Sequence, residues 1–254
     1  MKIRYILSSV ALASLSLTSC SDLDTAPEGN IITSDKKGEI LEEMPERGLA
    51  GVRAIFQGLS AYEPNYEAFG KIERHNDIGY PSVLMFTDAN TEDVVSDPNG
   101  YNWNENSLDY SDRTYTSYES QKVWNDHYNA IYVANTVIKG YNTGEDPTNE
   151  EARFFYAQGL AARAYFYFNL AQLYQFTYKD NETKPCIPVV TDENTAKSQV
   201  EGTPCSTVEE TYTQIKSDID HAITLLEGTS YEREDKRYIS LAVAYGIRAR
   251  VNLV

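Results

Sequence analysis

The chain has 254 residues, 41% of them hydrophobic, and a formal net charge of −16, which is enough apolar material for one large or two small domains with a real core. A field of that sign repels phosphate backbones and anionic lipid head groups, which excludes nucleic acid as a partner. Tyrosine is the commonest aromatic, 20 residues against 8 Phe and 2 Trp, and rings tipped with a hydroxyl suit surfaces that are wet on one side and apolar on the other.

Residues 1–20, MKIRYILSSVALASLSLTSC, carry two early bases, a short apolar run and a small polar end, the pattern of a secretory signal. Leu17-Thr18-Ser19-Cys20 resembles a bacterial lipobox. Residues 1–19 are therefore expected to be a lipoprotein signal peptide and Cys20 the lipidated N-terminus. Losing Lys2 and Arg4 leaves 20 bases against 38 acids, a charge of −18. Acyl chains would hold such a protein on a membrane with no spanning segment. Residues 20–39, rich in Pro, Gly, Asn and charge, read as a tether, and residues 40–254 as the folded domain.

From Ile40 to Tyr62 the positions Leu41, Met44, Leu49, Val52, Ile55, Phe56 and Leu59 predict a first helix, weakened in its first half by Pro45. Glu63 to Ser117 is rich in Asn, Asp, Tyr, Gly and Pro, with only short apolar runs such as Pro81 to Phe86. It reads as a long irregular segment, and such segments in compact domains are functional or disordered. Its many aromatics argue against disorder.

Helical spacing resumes at Trp124, Tyr128, Ile131, Asn135 and Ile138, with Gly140 as a stop. Thr148-x-x-Glu151 then reads as a capping box that launches the stretch around which the chain is organised, Glu151 to Tyr174. Phe154, Ala157, Ala161, Ala164, Phe168 and Ala171 recur there at steps of three and four, Leu160, Tyr167 and Tyr174 mark a second face, and Arg163 is the only charge between Phe154 and Tyr174. This predicts a helix buried on most sides, with Ala161, Ala162 and Ala164 admitting close neighbours. Gln158, Arg163, Asn169 and Gln172 argue against a membrane span.

Residues 177–203 read as a loop with a short extended stretch at Cys186-Ile187-Pro188-Val189-Val190. Ser206-x-x-Glu209 reads as a second capping box, opening a helix that carries Val208, Tyr212, Ile215, Ile219, Ala222, Ile223 and Leu226 and ends at Gly228. A last helix is expected from about Tyr238 onward, with Ile239, Ala242, Val243, Gly246, Ile247, Ala249 and Leu253. It runs to Val254 with no stop signal, so the sequence reads as part of something longer. Ala161-Ala162-Arg163-Ala164 is echoed by Gly246-Ile247-Arg248-Ala249, which suggests two helical hairpins of one design, a degenerate helical repeat.

The ordered blocks Trp124-x3-Tyr128-x2-Ile131-x3-Asn135-x2-Ile138, Ala152 to Tyr174, Ile187-Pro188-Val189, Thr203-Pro204-x3-Val208-x3-Tyr212-x2-Ile215-x2-Asp218-Ile219-x2-Ala222 and Ala242 to Leu253, behind a lipobox, resemble the N-terminal half of the SusD/RagB family over residues 40–254. The resemblance implies a mainly α fold of tetratricopeptide-type hairpins with long irregular loops. It implies a lipoprotein of the outer membrane, exposed at the cell surface, which binds an oligosaccharide or polysaccharide and delivers it to a SusC-like TonB-dependent transporter without covalent chemistry. Ser21-Asp22-Leu23-Asp24 resembles the export tag of surface lipoproteins in the Bacteroidetes, and reads equally as a charged tether. The chain departs from the family at Leu173-Tyr174-Gln175-Phe176, where a Tyr-Gly pair is common. Three other readings stand beside this one: a peptide-binding RagB-like uptake protein, a helical-repeat envelope adaptor that binds only protein, and a lipid-anchored glycoside hydrolase.

Sugar recognition needs flat aromatic faces for C–H surfaces and amides or carboxylates for hydroxyls. The run Asp97 to Asn106 offers both, and Trp103, Tyr101 and Asn104 are its candidate ligand contacts, against the alternative that Trp103 tucks under its own loop. Trp124 and Tyr128 sit at core spacing and read as structural. His75, His127 and His221 have no partner ligand at helical spacing, so no metal site is assigned. Asp88, Glu92 and Asp93, or Asp109 and Asp112, could supply a glycosidase pair, but in so acidic a chain they read as solvated surface. No catalytic residue and no cofactor is assigned. Cys186 and Cys205 either pair across the intervening loop or remain two free thiols.

Overall fold

The computed structural model describes residues 34–60, 79–95 and 104–254. The chain divides into two compact units, residues 1–37 and 38–254. Of the first, only residues 34–37, the opening of a helix, are among those described; Cys20 lies outside them. Every regular element among the described residues is helical: α1 (Ser34–Glu43), a 3₁₀ turn (Pro45–Gly48), α2 (Leu49–Ser60), α3 (Tyr80–Ala89), α4 (Glu105–Leu108), α5 (Tyr118–Tyr141), α6 (Glu150–Tyr174), α7 (Thr195–Glu201), α8 (Val208–Glu227) and α9 (Leu241–Val251). The fold is mainly α, as the sequence predicts.

The centre is α6. It is packed by α5 on one side and α8 on the other, and every residue from Phe154 to Ala164 is buried. Contacts fix both crossings as antiparallel. Trp124 meets Tyr174 at 5.1 Å, Tyr128 meets Tyr167 at 6.4 Å and Tyr141 meets Phe155 at 6.5 Å between ring centroids, so α5 and α6 run in opposite senses. Phe168 against Tyr212 and Tyr156 against His221 give the same result for α6 and α8. Small residues permit the approach: a Cβ built on Gly159 would lie 2.9 Å from Ile138 and 3.4 Å from the Ala134 carbonyl. α2 adds Val52, Ile55 and Phe56 to the same core, and α9 packs on α8.

Arg163, the lone charge of α6, is 4% exposed and bound on every side. Nε and Nη2 each donate to Asp218 at 2.7 Å, and Nη1 donates to Asn135 at 2.8 Å and Asp192 at 2.9 Å. Gln214 gives Asp218 a further donor at 2.9 Å. Desolvation works against the guanidinium charge; the Asp218 and Asp192 carboxylates reverse it and hold Arg163 above its ordinary pKa. One residue thereby joins α5, α6, α8 and the 185–207 strap.

That strap has no sheet to belong to. Apart from the helical turns at and around α7, its backbone pairing among the described residues is a bridge between Pro185 and Thr207 with bonds of Cys186 N to Ser206 O and Ser206 N to Ile187 O. Side chains of α5 and α6 hold the rest. Tyr128 Oη donates to the Pro188 carbonyl, Asn135 to the Val190 carbonyl, and Tyr167 Oη both donates to the Val190 carbonyl and accepts from its N–H, each at 2.7–2.8 Å. Ile187 is fully buried beneath. Cys186 is half-buried and Cys205 exposed, both as free thiols, and burial pushes the Cys186 thiol up.

Several boundaries differ from the sequence reading. The helix expected over 40–62 is two, broken at Met44 by the 3₁₀ turn, because Pro45 cannot donate within a helix; the first of them begins at Ser34. The segment expected to be irregular over 63–117 contains α3, started by Pro81 in its first turn after Gly79, and the short α4. Gly140 lies inside α5, not at its end. The cap of α6 is Asn149, whose side chain accepts from Glu151 N and Ala152 N. Thr148 instead gives its backbone N–H and hydroxyl to Glu42 of α1. The echo in α9 also differs from its counterpart: Gly246 and Ala249 are exposed, whereas Ala161 and Ala164 are buried.

The capping box of α8 is Thr207 with Glu210, one residue later than expected. Thr207→Ala is expected to cost about 1 kcal/mol and lower the unfolding temperature by roughly 2–4 °C. Ser206→Ala is expected to stay within about 0.5 kcal/mol of the parent. Thermal denaturation of the two variants side by side checks the assignment.

Candidate functional site

A groove of about 1280 Å³ opens where α3, the 112–117 loop, the start of α5 and the end of α6 meet. α3 brings Phe86, and Asn90 is its C-cap. The loop brings Asp112 to Thr116, α5 brings Ser120, Gln121 and Trp124, and α6 ends in Gln172, Leu173 and Tyr174. The sequence folds this way locally because Ser117 caps α5, accepting from Ser120 N at 3.0 Å, which turns the chain sharply from loop into helix.

The aromatic floor is built from α5 and α6. Trp124 is half-buried, with Tyr128 at 4.7 Å and Tyr174 nearly perpendicular at 5.1 Å. Tyr174 Oη donates to the Ser120 carbonyl, and burial keeps its phenol protonated well above the ordinary range. At the rim Tyr115 is 96% exposed. The polar lining is amides and hydroxyls, and of its described lining residues only Asp112 and Arg113 are charged. Asp112 is turned inward: Oδ2 accepts from Ser107 at 2.6 Å and Asn90 at 3.5 Å, while Oδ1 is buried with no hydrogen-bond partner among the described residues.

Of the ligand contacts expected from sequence, Tyr101 and Trp103 lie outside the described residues. Asn104 is described, half-buried, at the start of α4, where its carbonyl accepts from Ser107 N and Leu108 N. It is not part of the groove lining; it stands two residues before Asn106, whose carbonyl holds the Asp112 N–H at 3.2 Å. Trp124, read as core, packs against the core and also lines the groove. Its position among Ser117, Ser120, Gln121 and Asn125 was the signal, since a purely buried face would lack that polar company. Asp112 was expected in solvent and is buried because Ser107 and Asn90 receive it.

The groove can hold a molecule with apolar faces and many hydroxyls. Among the described residues no three His, Cys, Asp or Glu side chains converge as a metal site would require. His127 is buried with Nδ1 on the Val123 carbonyl, and His221 pairs with Asp146 at 2.7 Å. No described helix is long and apolar enough to cross a membrane.

Residues 78–253 match the profile of the SusD-like family, described as starch-binding and associating with the outer membrane. The fold is similar to that of a SusD-like carbohydrate binding protein from Bacteroides vulgatus, with 24% identity and a TM-score of 0.66 over 82% of this chain and 41% of that one. It is also similar to a laminarin-binding SusD-like protein, with 20% identity and a TM-score of 0.59 over 82% of this chain and 40% of that one. A structure solved with a xylogluco-oligosaccharide gives 18% identity and a TM-score of 0.52, covering 80% of this chain and 34% of its own. The chain thus spans less than half the length of the solved structures it resembles. No curated protein matches it.

Proposed function

The chain belongs to the SusD-like family, and from that premise we propose that it captures oligosaccharides in the groove beside Trp124 and passes them to a SusC-like TonB-dependent transporter. The observation that carries the reading is the meeting of Trp124, Tyr174 and the open ring of Tyr115 with a lining of Asn, Gln, Ser and Thr. Rings cover the C–H faces of sugars while amides and hydroxyls exchange hydrogen bonds with theirs. Lipidation at Cys20 would keep the protein on the outer membrane, facing outward, and capture requires no bond to break. Tyr101, Trp103 and Asn104 are proposed as further ligand contacts on the chemistry of their side chains. Relatives whose names record laminarin or a xylogluco-oligosaccharide support glycan over peptide as the ligand class.

Affinity electrophoresis of the full chain through gels carrying laminarin, xyloglucan and other plant and microbial polysaccharides tests the reading. At least one polymer is expected to retard it, with no reducing ends released. Unchanged mobility in every gel would overturn the glycan reading, and release of reducing ends would turn it toward a hydrolase. Trimming of the anchored protein when intact cells are treated with protease checks its place on the surface.

A further inference from the structure

Resting on that glycan reading, we propose that the groove selects an oligosaccharide with a mainly neutral backbone that carries an isolated uronic-acid carboxylate, and that Arg113 is the residue that reads it. The chain is strongly acidic, yet Arg113 is the one cation among the described residues lining the groove. The one acid there, Asp112, is 2% exposed and occupied with Ser107 and Asn90.

Arg113 is exposed but fixed. Nε donates to Asn90 Oδ1 at 3.1 Å and Nη2 donates to the Asn90 carbonyl at 3.1 Å, while Cζ stands 4.0 Å from the centroid of the Tyr110 ring. One edge of the guanidinium, Nε with Nη2, is therefore spent on Asn90. The other edge, Nη1 with the remaining Nη2 hydrogen, has no acceptor among the described residues. A guanidinium edge presents two parallel N–H groups at the spacing of a carboxylate's two oxygens. Because the side chain is already held, little of its freedom is lost when a ligand arrives. The net charge limits how many carboxylates such a ligand can bring. A polyuronate meets repulsion from the whole surface, whereas one carboxylate in contact with the guanidinium is attracted more than it is repelled.

The test is calorimetric titration of the full chain with oligosaccharides of neutral backbone bearing single uronic acids, glucuronoxylo-oligosaccharides among them. Each is compared with its carboxyl-reduced form, and neutral laminari- and xylogluco-oligosaccharides are titrated alongside. At least one acidic member is expected to bind, and reduction of its carboxyl to weaken it by about tenfold or more. Added salt narrows that gap. Arg113→Met removes the difference between acidic and reduced forms, and Arg113→Lys, which keeps the charge but not the fork, retains part of it. If neutral or reduced forms bind as tightly as acidic ones, or Arg113→Met still discriminates, the inference falls and glycan capture stands. If no member of either series binds, both fall.

Discussion

Asp218→Ala is expected to destabilise the fold by about 3–5 kcal/mol, lowering its unfolding temperature by roughly 10 °C. Asp218 is 3% exposed and takes two of the four hydrogen bonds of Arg163. Removing it leaves a guanidinium in the core with Asn135 and Asp192 on one nitrogen and nothing on the other two. The cost is the stranded charge rather than the worth of the pair, so the double change Arg163→Met with Asp218→Leu should recover most of the loss. Chemical denaturation of the single and double variants reads both quantities. A single variant within about 1 kcal/mol of the parent would show that water reaches Arg163 and that the junction of α5, α6, α8 and the strap does not depend on it.

The second large effect concerns binding. Trp124→Ala is expected to weaken the glycan that retards the parent protein by about 2 kcal/mol or more, roughly 30-fold. Trp124 also packs on Tyr128 and Tyr174, so part of any loss could come from loosened packing. Tyr115→Ala separates the two, because a ring 96% exposed contributes little to stability; it should cost about 1 kcal/mol in binding and leave the melting curve in place. Tyr132→Ala, exposed on α5 away from the groove lining, should change neither. Full binding by both Trp124→Ala and Tyr115→Ala would move the ligand site elsewhere.

The sequence carried the long helices because α6 announces itself through spacing and through Arg163 standing alone. It could not carry the partners of that arginine: Asp192 and Asp218 are 29 and 55 residues downstream, and a single sequence says nothing about which acid of 38 arrives there. Cap positions were misread for a related reason. Ser206-Thr207-Val208-Glu209-Glu210 contains two overlapping capping boxes, and the choice was made by tertiary structure, through the bridge of Thr207 to Pro185. At α6 the competitor was Glu42, which takes Thr148 out of the cap and leaves Asn149 to supply it. α3 was missed because its apolar residues are not periodic: Pro81 to Phe86 read only as a short apolar run in an irregular segment, whereas Pro81 serves as a helix starter in the first turn. The groove was legible only in its ingredients. Its four contributing segments lie between residues 86 and 174, and no local pattern places them side by side.

The double use of the Tyr167 hydroxyl on Val190 has an evolutionary corollary. One phenolic oxygen there does what a neighbouring strand would do, satisfying both backbone groups of a residue in an extended segment. A ladder would transmit an insertion along its whole length, because each pairing sets the register of the next. Separate side-chain pins transmit nothing. Insertions and deletions over residues 196–204 can therefore accumulate in descendants of this gene while the helices that carry the aromatic floor of the groove keep their places.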